Sequence, residues 1–251
     1  MYIDTHAHFD LCAENHNTTA DAIVSLMEEH QVNTAVHVVI DTNGISWGVD
    51  FINTHNDKNI YIAFSIHPSS FANSSTLEQF SVTIAQHIQT IPDKIFGIGE
   101  AGLDYYRMRQ PRTMQQNSFH IQIQLAKKYN LPIIVHSREA MEDTYTILKQ
   151  YAPLKGIIHC FSGDSIDAKK FIDLGLYISF AGNITYKSAT NLQEAARYTP
   201  FDRMLLETDA PFLTPLPYRG KPNHPGLVVH TYQFVASLKK FTIEFPNSLS
   251  Q

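Results

Sequence analysis

Eight short runs rich in Ile, Val, Phe and Tyr recur along the chain, with stretches of helical spacing between them. The runs are "YIDTHAH" (2–8), "NTAVHVVI" (33–40), "NIYIAFSIH" (59–67), "KIFGIGE" (94–100), "LPIIVH" (131–136), "KGIIHCF" (155–161), "GLYISFAG" (175–182) and "RMLLETD" (203–209). Between them, "TADAIVSLMEEHQ" (19–31), "TMQQNSFHIQIQLAKKYN" (113–130) and "SIDAKKFIDLG" (165–175) read as helices. Thr19 and Ser165 stand at helix starts, and Asn130 and Gly175 are helix stops. Strands alternating with helices imply parallel strands joined by crossovers. Eight is the number that closes a (β/α)8 barrel. An open doubly wound sheet is the alternative, but no "GxGxxG" turn follows the first run. With no internal repeat, low-complexity tract or Gly/Ser linker, the expectation is an α/β chain, a single-domain (β/α)8 TIM barrel over 1–251.

Composition allows this. The chain has 251 residues, 43% hydrophobic and 17% charged, which is a globular composition at a length that a single barrel commonly occupies. A formal net charge of -5 leaves no global electrostatic footprint for nucleic acid, so any such contact must come from a local basic patch. Cys12 and Cys160 lie far apart and form no disulfide framework, which fits a reducing compartment. No leader pattern and no apolar run of about 18 residues is present, so the expected location is cytoplasmic, with no membrane contact.

Thirteen histidines against 24 Asp plus Glu is a high count, and their positions matter more than their number. The chain opens "MYIDTHAHFD", and side chains alternate faces along a strand, so Asp4, His6 and His8 share one side. Five of the other seven runs carry His67, Glu100, His136, His159 and Asp209 at or near their C-terminal ends. In a (β/α)8 barrel those ends converge on the rim that holds the active site. His30, His87 and His120 fall in helical stretches and read as surface or boundary residues; mid-strand His37 reads as a hydrogen-bonded core residue. Imidazoles mixed with carboxylates suit Zn, Mn, Fe or Mg. Such a set is too large for one tetrahedral ion with an open position, and it suits two ions about 3.5–4 Å apart that share a carboxylate and activate a water. Asp209 could also take the proton from that water. A metal-free polar network is the bland alternative, and it would leave imidazoles facing one another with little compensation.

The blocks "DTHAHFD" (4–10), "GIGEAGLDYY" (97–106), "IVHSR" (134–138), "HCFSG" (159–163) and "LETDAPFLTP" (206–215) resemble, in order, the signatures of the TatD-type metal-dependent hydrolases. These are deoxyribonucleases of the amidohydrolase superfamily, and the likeness runs from residue 4 to about residue 226. The resemblance implies a (β/α)8 barrel, with His6, His8, Glu100, His136, His159 and Asp209 as ligands to two divalent ions (Mg, Mn or Zn) and Glu100 as their bridge. It implies that His67 acts near the scissile phosphate rather than on metal. Glu207 is expected to support the site by hydrogen bonding. The catalytic set is then Asp209, His67 and Glu100.

Phosphate must also be held. Arg138 follows His136 by two residues and can face the site, since guanidinium matches phosphate oxygens. Lys187, Arg219 and Lys221 are further candidates, and Tyr105 or Tyr106 could stack on a base or pack beneath the rim. Two features depart from the family: His224 stands before Pro225 where an acidic residue is usual, and the tail "FPNSLSQ" with Pro246 replaces a further helix. A shortened last helix would expose apolar surface, so a monomer or a weak homo-oligomer is expected. The expected partner is DNA; a small ester, lactone, amide or phosphoester is the alternative substrate, and a non-enzymatic barrel the third reading.

Overall fold

The computed structural model describes residues 1–70 and 72–242. Its strands are β1 (Tyr2–Ala7), β2 (Val32–Val39), β3 (Asn59–Phe64), β4 (Ile95–Asp104), β5 (Ile133–Arg138), β6 (Gly156–Ile158), β7 (Tyr177–Phe180) and β8 (Met204–Leu206). They lie in sequence order in one sheet, every neighbouring pair parallel. Closure comes where the end of β8 returns to β1, through a parallel bridge between Ala7 and Ala210. There Asp209 N–H donates to His6 O at 3.0 Å and His8 N–H to Ala210 O at 2.9 Å. The helices are α1 (Phe9–Asn15), α2 (Ala20–Glu29), α3 (Gly44–Thr54), α4 (Ser74–Thr90), α5 (Arg112–Lys128), α6 (Met141–Lys149), α7 (Ser165–Asp173), α8 (Thr190–Tyr198) and α9 (Val228–Leu238). The expected (β/α)8 barrel is what forms.

Boundaries differ from the sequence reading where local chemistry intervenes. Thr19 caps α2 as expected, accepting from Ala22 N–H. The cap of α7 is Asp164, not Ser165, because its carboxylate accepts from the amides of both Ile166 and Asp167. β6 and β8 are short, and the left-handed residues that follow them, Cys160 (φ 44°) and Asp209 (φ 53°), interrupt their regular extended backbone, although isolated bonds such as Phe161 N–H to Ser179 O still reach the neighbouring strand. β4 runs on past Glu100 to Asp104 because Gly102, at φ +149°, lets its backbone lie against β5. A Cβ there would stand 2.0 Å from His136 O.

Among the described residues two apolar clusters hold the barrel. The larger packs sheet against helices and includes Phe9, Phe64, Phe80, Phe119 and Phe171. The smaller contains Val36, Val38, Ala63, Ile134 and Ile157. Ile134 and Ile157 precede His136 and His159 by two residues and so share their face; this cluster is the floor inside the barrel beneath the site. His37 points the other way, towards Phe9, Trp47 and Phe51. Its Nδ1 accepts from Phe9 N–H, and burial lowers its pKa to about 3, so it is a neutral core residue as expected.

The departure at His224 has a structural explanation. Its ring is buried between His16 and His30, with centroids 5.8 and 5.2 Å away. Burial first, then neighbouring His30, His16 and His230, lower its pKa to about 4, so a neutral imidazole fills the place. The loop is fixed by Asn223, whose amide donates to Thr208 O and Phe212 O. Cys12 and Cys160 are both free. No helix among the described residues is long and apolar enough to cross a membrane. The tail with Pro246, on which the shortened-helix expectation rests, lies outside the described residues.

Asp4 sits at the seam, fully buried. Its Oδ1 accepts from Thr208 N–H at 2.9 Å and His6 N–H at 3.2 Å, and its Oδ2 from the Thr208 hydroxyl at 2.6 Å. Removing it strands three buried donors where β1 meets β8. Asp4→Ala is expected to lower the unfolding free energy by about 3 kcal/mol or more, read from denaturant titration; a loss within experimental error would contradict this account of the seam.

Candidate metal centre

Glu100 is the meeting point. The residue is 4% exposed, and its carboxylate has five imidazoles within 4 Å. Oε2 stands 3.5 Å from His6 Nε2 and 3.8 Å from His8 Nε2. Oε1 stands 2.6 Å from His136 Nδ1, 2.9 Å from His159 Nε2 and 3.3 Å from His67 Nε2. Asp209 Oδ1 completes the first side, 3.9 Å from His6 Nε2 and 3.7 Å from His8 Nε2. All six residues expected as ligands are therefore brought together, with His67 beside them.

The donor atoms fit divalent ions. Around a tetrahedral ion with bonds of about 2.1 Å, ligand atoms stand about 3.4 Å apart, close to the spacing among His6, His8, Glu100 and Asp209. Among the described residues neither ring nitrogen of His6 has a hydrogen-bond partner although both are buried, an arrangement that is unfavourable unless something is ligated. His6, His8 and Glu100 form one group able to hold an ion, and Glu100, His136 and His159 another. The two oxygens of Glu100 face the two groups separately.

Contacts behind the rings show which nitrogen faces inward. His8 Nδ1 donates to Val38 O at 2.8 Å, leaving the Nε2 lone pair for the site. His159 directs Nδ1 to Glu207 Oε1 at 3.3 Å. Glu207 accepts from Cys160 N–H and from the Ser179 hydroxyl, which places its carboxylate behind His159. His67 is different. The Ser69 backbone N–H donates to its Nδ1 at 3.0 Å, so in the neutral ring the proton sits on Nε2. A ring presenting N–H cannot ligate, and it suits the donor role expected of His67.

Above these groups opens a cavity of about 580 Å³. Arg138 lines it, its Cζ 4.0 Å from the centre of the Tyr106 ring. Tyr105, Lys187 and Arg219 are not brought there. Tyr105 is buried on the barrel flank, its hydroxyl donating to Asp143 and its ring covered by Arg112; it packs instead of stacking on substrate. Arg219 lies over Tyr186, and Lys187 is absent from the lining. Arg107 and Arg109, from the loop after β4, stand on the cavity wall instead. Their signal was legible in "YYRMR", directly after a rim block. Asp104 was also missed. It is buried, two alternations beyond Glu100 on β4, with Oδ2 3.3 Å from His136 Nε2.

Glu100 is held well below the usual carboxylate range: burial opposes this, but His159 and His67 outweigh it. Burial likewise opposes protonation of His8, yet Asp209 and Glu100 raise its pKa to about 9; His159 is raised chiefly by Glu100. Below those values the free rings carry protons that a cation must displace. Apparent affinity for Mn²⁺ is thus expected to rise with pH between 6.5 and 8.5, by up to about tenfold per pH unit for each proton released. A competition titration at both pH values checks this, and pH-independent binding would contradict it.

Residues 3–246 match the family model described as TatD related DNase. The chain is 38% identical over 248 residues to YabD of Bacillus subtilis, covering 97% of this chain and 93% of that protein. It is 34% identical over 245 residues to YcfH of Escherichia coli K12, covering 96% and 89%. Both carry the description uncharacterized metal-dependent hydrolase. Among solved structures, the TatD homologue YJJV of Escherichia coli superposes with a TM-score of 0.85 at 28% identity, covering 94% of this chain and 90% of that one.

Proposed function

The chain belongs to the TatD family of metal-dependent hydrolases, and from that premise we propose that it is a deoxyribonuclease using two divalent ions (Mg, Mn or Zn). The observation that carries this reading is the division of Glu100 between two imidazole groups at the foot of a cavity walled by three arginines. His6, His8 and Asp209 would hold one ion and His136 and His159 the other, with Glu100 shared. Bound there, such ions supply Lewis acidity towards phosphate oxygens and make a water acidic enough to lose its proton near neutral pH.

The protein's own groups do the remainder. Asp209 Oδ1 faces the same space as the His6 and His8 nitrogens and accepts the proton of the attacking water. His67, its Nε2–H fixed by Ser69, donates to a phosphate oxygen. Arg138, Arg107 and Arg109 hold phosphate groups along the wall, where guanidinium pairs bidentately with them. Of the two tyrosines considered for stacking, exposed Tyr106, together with Phe212 on the cavity lining, offers a face to bases. This is a local basic wall on a chain of net charge -5, so affinity for DNA falls steeply with salt. The confined cavity and the acidic chain favour a second reading, in which the same centre hydrolyses a small phosphoester.

Incubation of the purified protein with single-stranded DNA and Mg²⁺ or Mn²⁺, beside Asp209→Asn, tests the proposal. Metal-dependent cleavage is expected, with the variant slower by at least about 100-fold. A metal-loaded protein that cuts DNA no faster than the variant, yet hydrolyses a small aryl phosphodiester, would replace DNA by the small substrate.

A further inference from the structure

His136 presents the opposite nitrogen from His8 and His159. Its Nδ1, not its Nε2, faces Glu100, and its Nε2 stands 3.3 Å from Asp104 Oδ2. The other oxygen of the same carboxylate, Oδ1, accepts from the amides of Tyr106 at 3.1 Å and Arg107 at 2.7 Å. Those amides open the loop that carries Arg107 and Arg109 onto the cavity wall. Asp104 is itself fixed in the backbone: its N–H donates to Gln115 Oε1 at 2.8 Å, and Gln115 Nε2 donates back to Asp104 O and Gln110 O. Gln110 in turn ties the loop to the segment after β3 through Ala72 and Ser70. One buried side chain thus joins a ring of the metal centre to the arginine loop.

We propose that Asp104 is a positioning residue with two separable tasks: it keeps the proton of His136 on Nε2, freeing Nδ1 for an ion, and it sets the arginine loop that receives a substrate phosphate. The inference rests on the two-ion reading of the site. The first task follows because both ring nitrogens face carboxylates: an ion seated between Nδ1 and Glu100 leaves Nε2 to carry the ring proton, and Asp104, which only accepts, holds it there. The second follows because two consecutive amides point at one oxygen, which fixes the loop's path from its first residues.

Asparagine separates the tasks. In Asp104→Asn the amide oxygen must stay on the two backbone N–H groups, since an NH2 there would oppose two donors. The NH2 then faces His136 Nε2, which can only accept, and the ring proton moves to Nδ1. Equilibrium dialysis with Mn²⁺ is expected to find two ions per wild-type chain. In Asp104→Asn one of them should bind about 10–100-fold more weakly, while KM for single-stranded DNA at saturating Mn²⁺ stays within about twofold and excess Mn²⁺ restores most of kcat. Asp104→Ala should lose both, weaker metal and raised KM. A second readout needs no variant of Asp104: ¹⁵N-histidine NMR of the Zn²⁺-loaded wild type, with His136 assigned by its absence in His136→Gln, should show the Nε2–H tautomer.

Wild-type metal affinity in a folded Asp104→Asn protein, or an Nδ1–H tautomer at His136, would overturn the inference and leave the deoxyribonuclease reading standing. A wild type that takes up two ions but cuts no DNA would remove that reading, and the metal titration would still decide the role of Asp104. Absence of any metal uptake by the wild type would overturn both.

Discussion

A carboxylate buried among five imidazoles is the constraint from which the rest of this structure follows. Glu100 is nearly inaccessible to water, and an ionised group in that position is unfavourable by several kcal/mol unless paired. Protonation of all five surrounding rings would only replace one uncompensated charge by several. The shifts show the compromise: His8, His136 and His159 are raised while His6 and His67 are lowered. Divalent cations resolve it more simply, because neutral rings and a shared carboxylate are the ligands such ions take.

The barrel exists around that point in a literal sense. Parallel strands bring their C-terminal ends to one rim, and alternation along β1 puts His6 and His8 on one side with Asp4 beneath them. Asp4 then reaches Thr208, next to Asp209, so that the clamp closing the sheet also seats Asp209 beside the imidazoles. Behind the rings, Val38 O, Asp104 and Glu207 each fix an imidazole edge. Below them the Val36–Val38–Ala63–Ile134–Ile157 cluster keeps the floor dry.

Much of this was legible in the sequence. The eight β runs are the eight strands, and every residue at the end of a run that was expected to ligate does reach the centre. Period two along a strand is a strong signal, and rim convergence is a property of the fold. What could not be read was governed by contacts distant in sequence or by backbone turns. Asp209 arrives through a left-handed turn after β8 rather than on the strand. Arg219 and Lys187 were plausible by charge and loop position, yet aromatic and solvent contacts keep them off the cavity, and Tyr105 is claimed by Asp143 and Arg112. Asp104 was hidden because β4 continues four residues past Glu100, an extension permitted by Gly102 and visible only once β5 lies beside it. His224 fills the loop with a neutral ring because two other helices bring imidazoles to it.

The central claim is that one carboxylate, Glu100, is shared by two metal positions. Crystals soaked in Mn²⁺ and measured at the manganese absorption edge test it most directly. The account predicts two anomalous peaks about 3.5–4 Å apart, one against His6, His8 and Asp209, the other against His136 and His159, with a Glu100 oxygen on each. A lone peak that Glu100 does not touch, or no peak among these residues in crystals that bind manganese elsewhere, would contradict it.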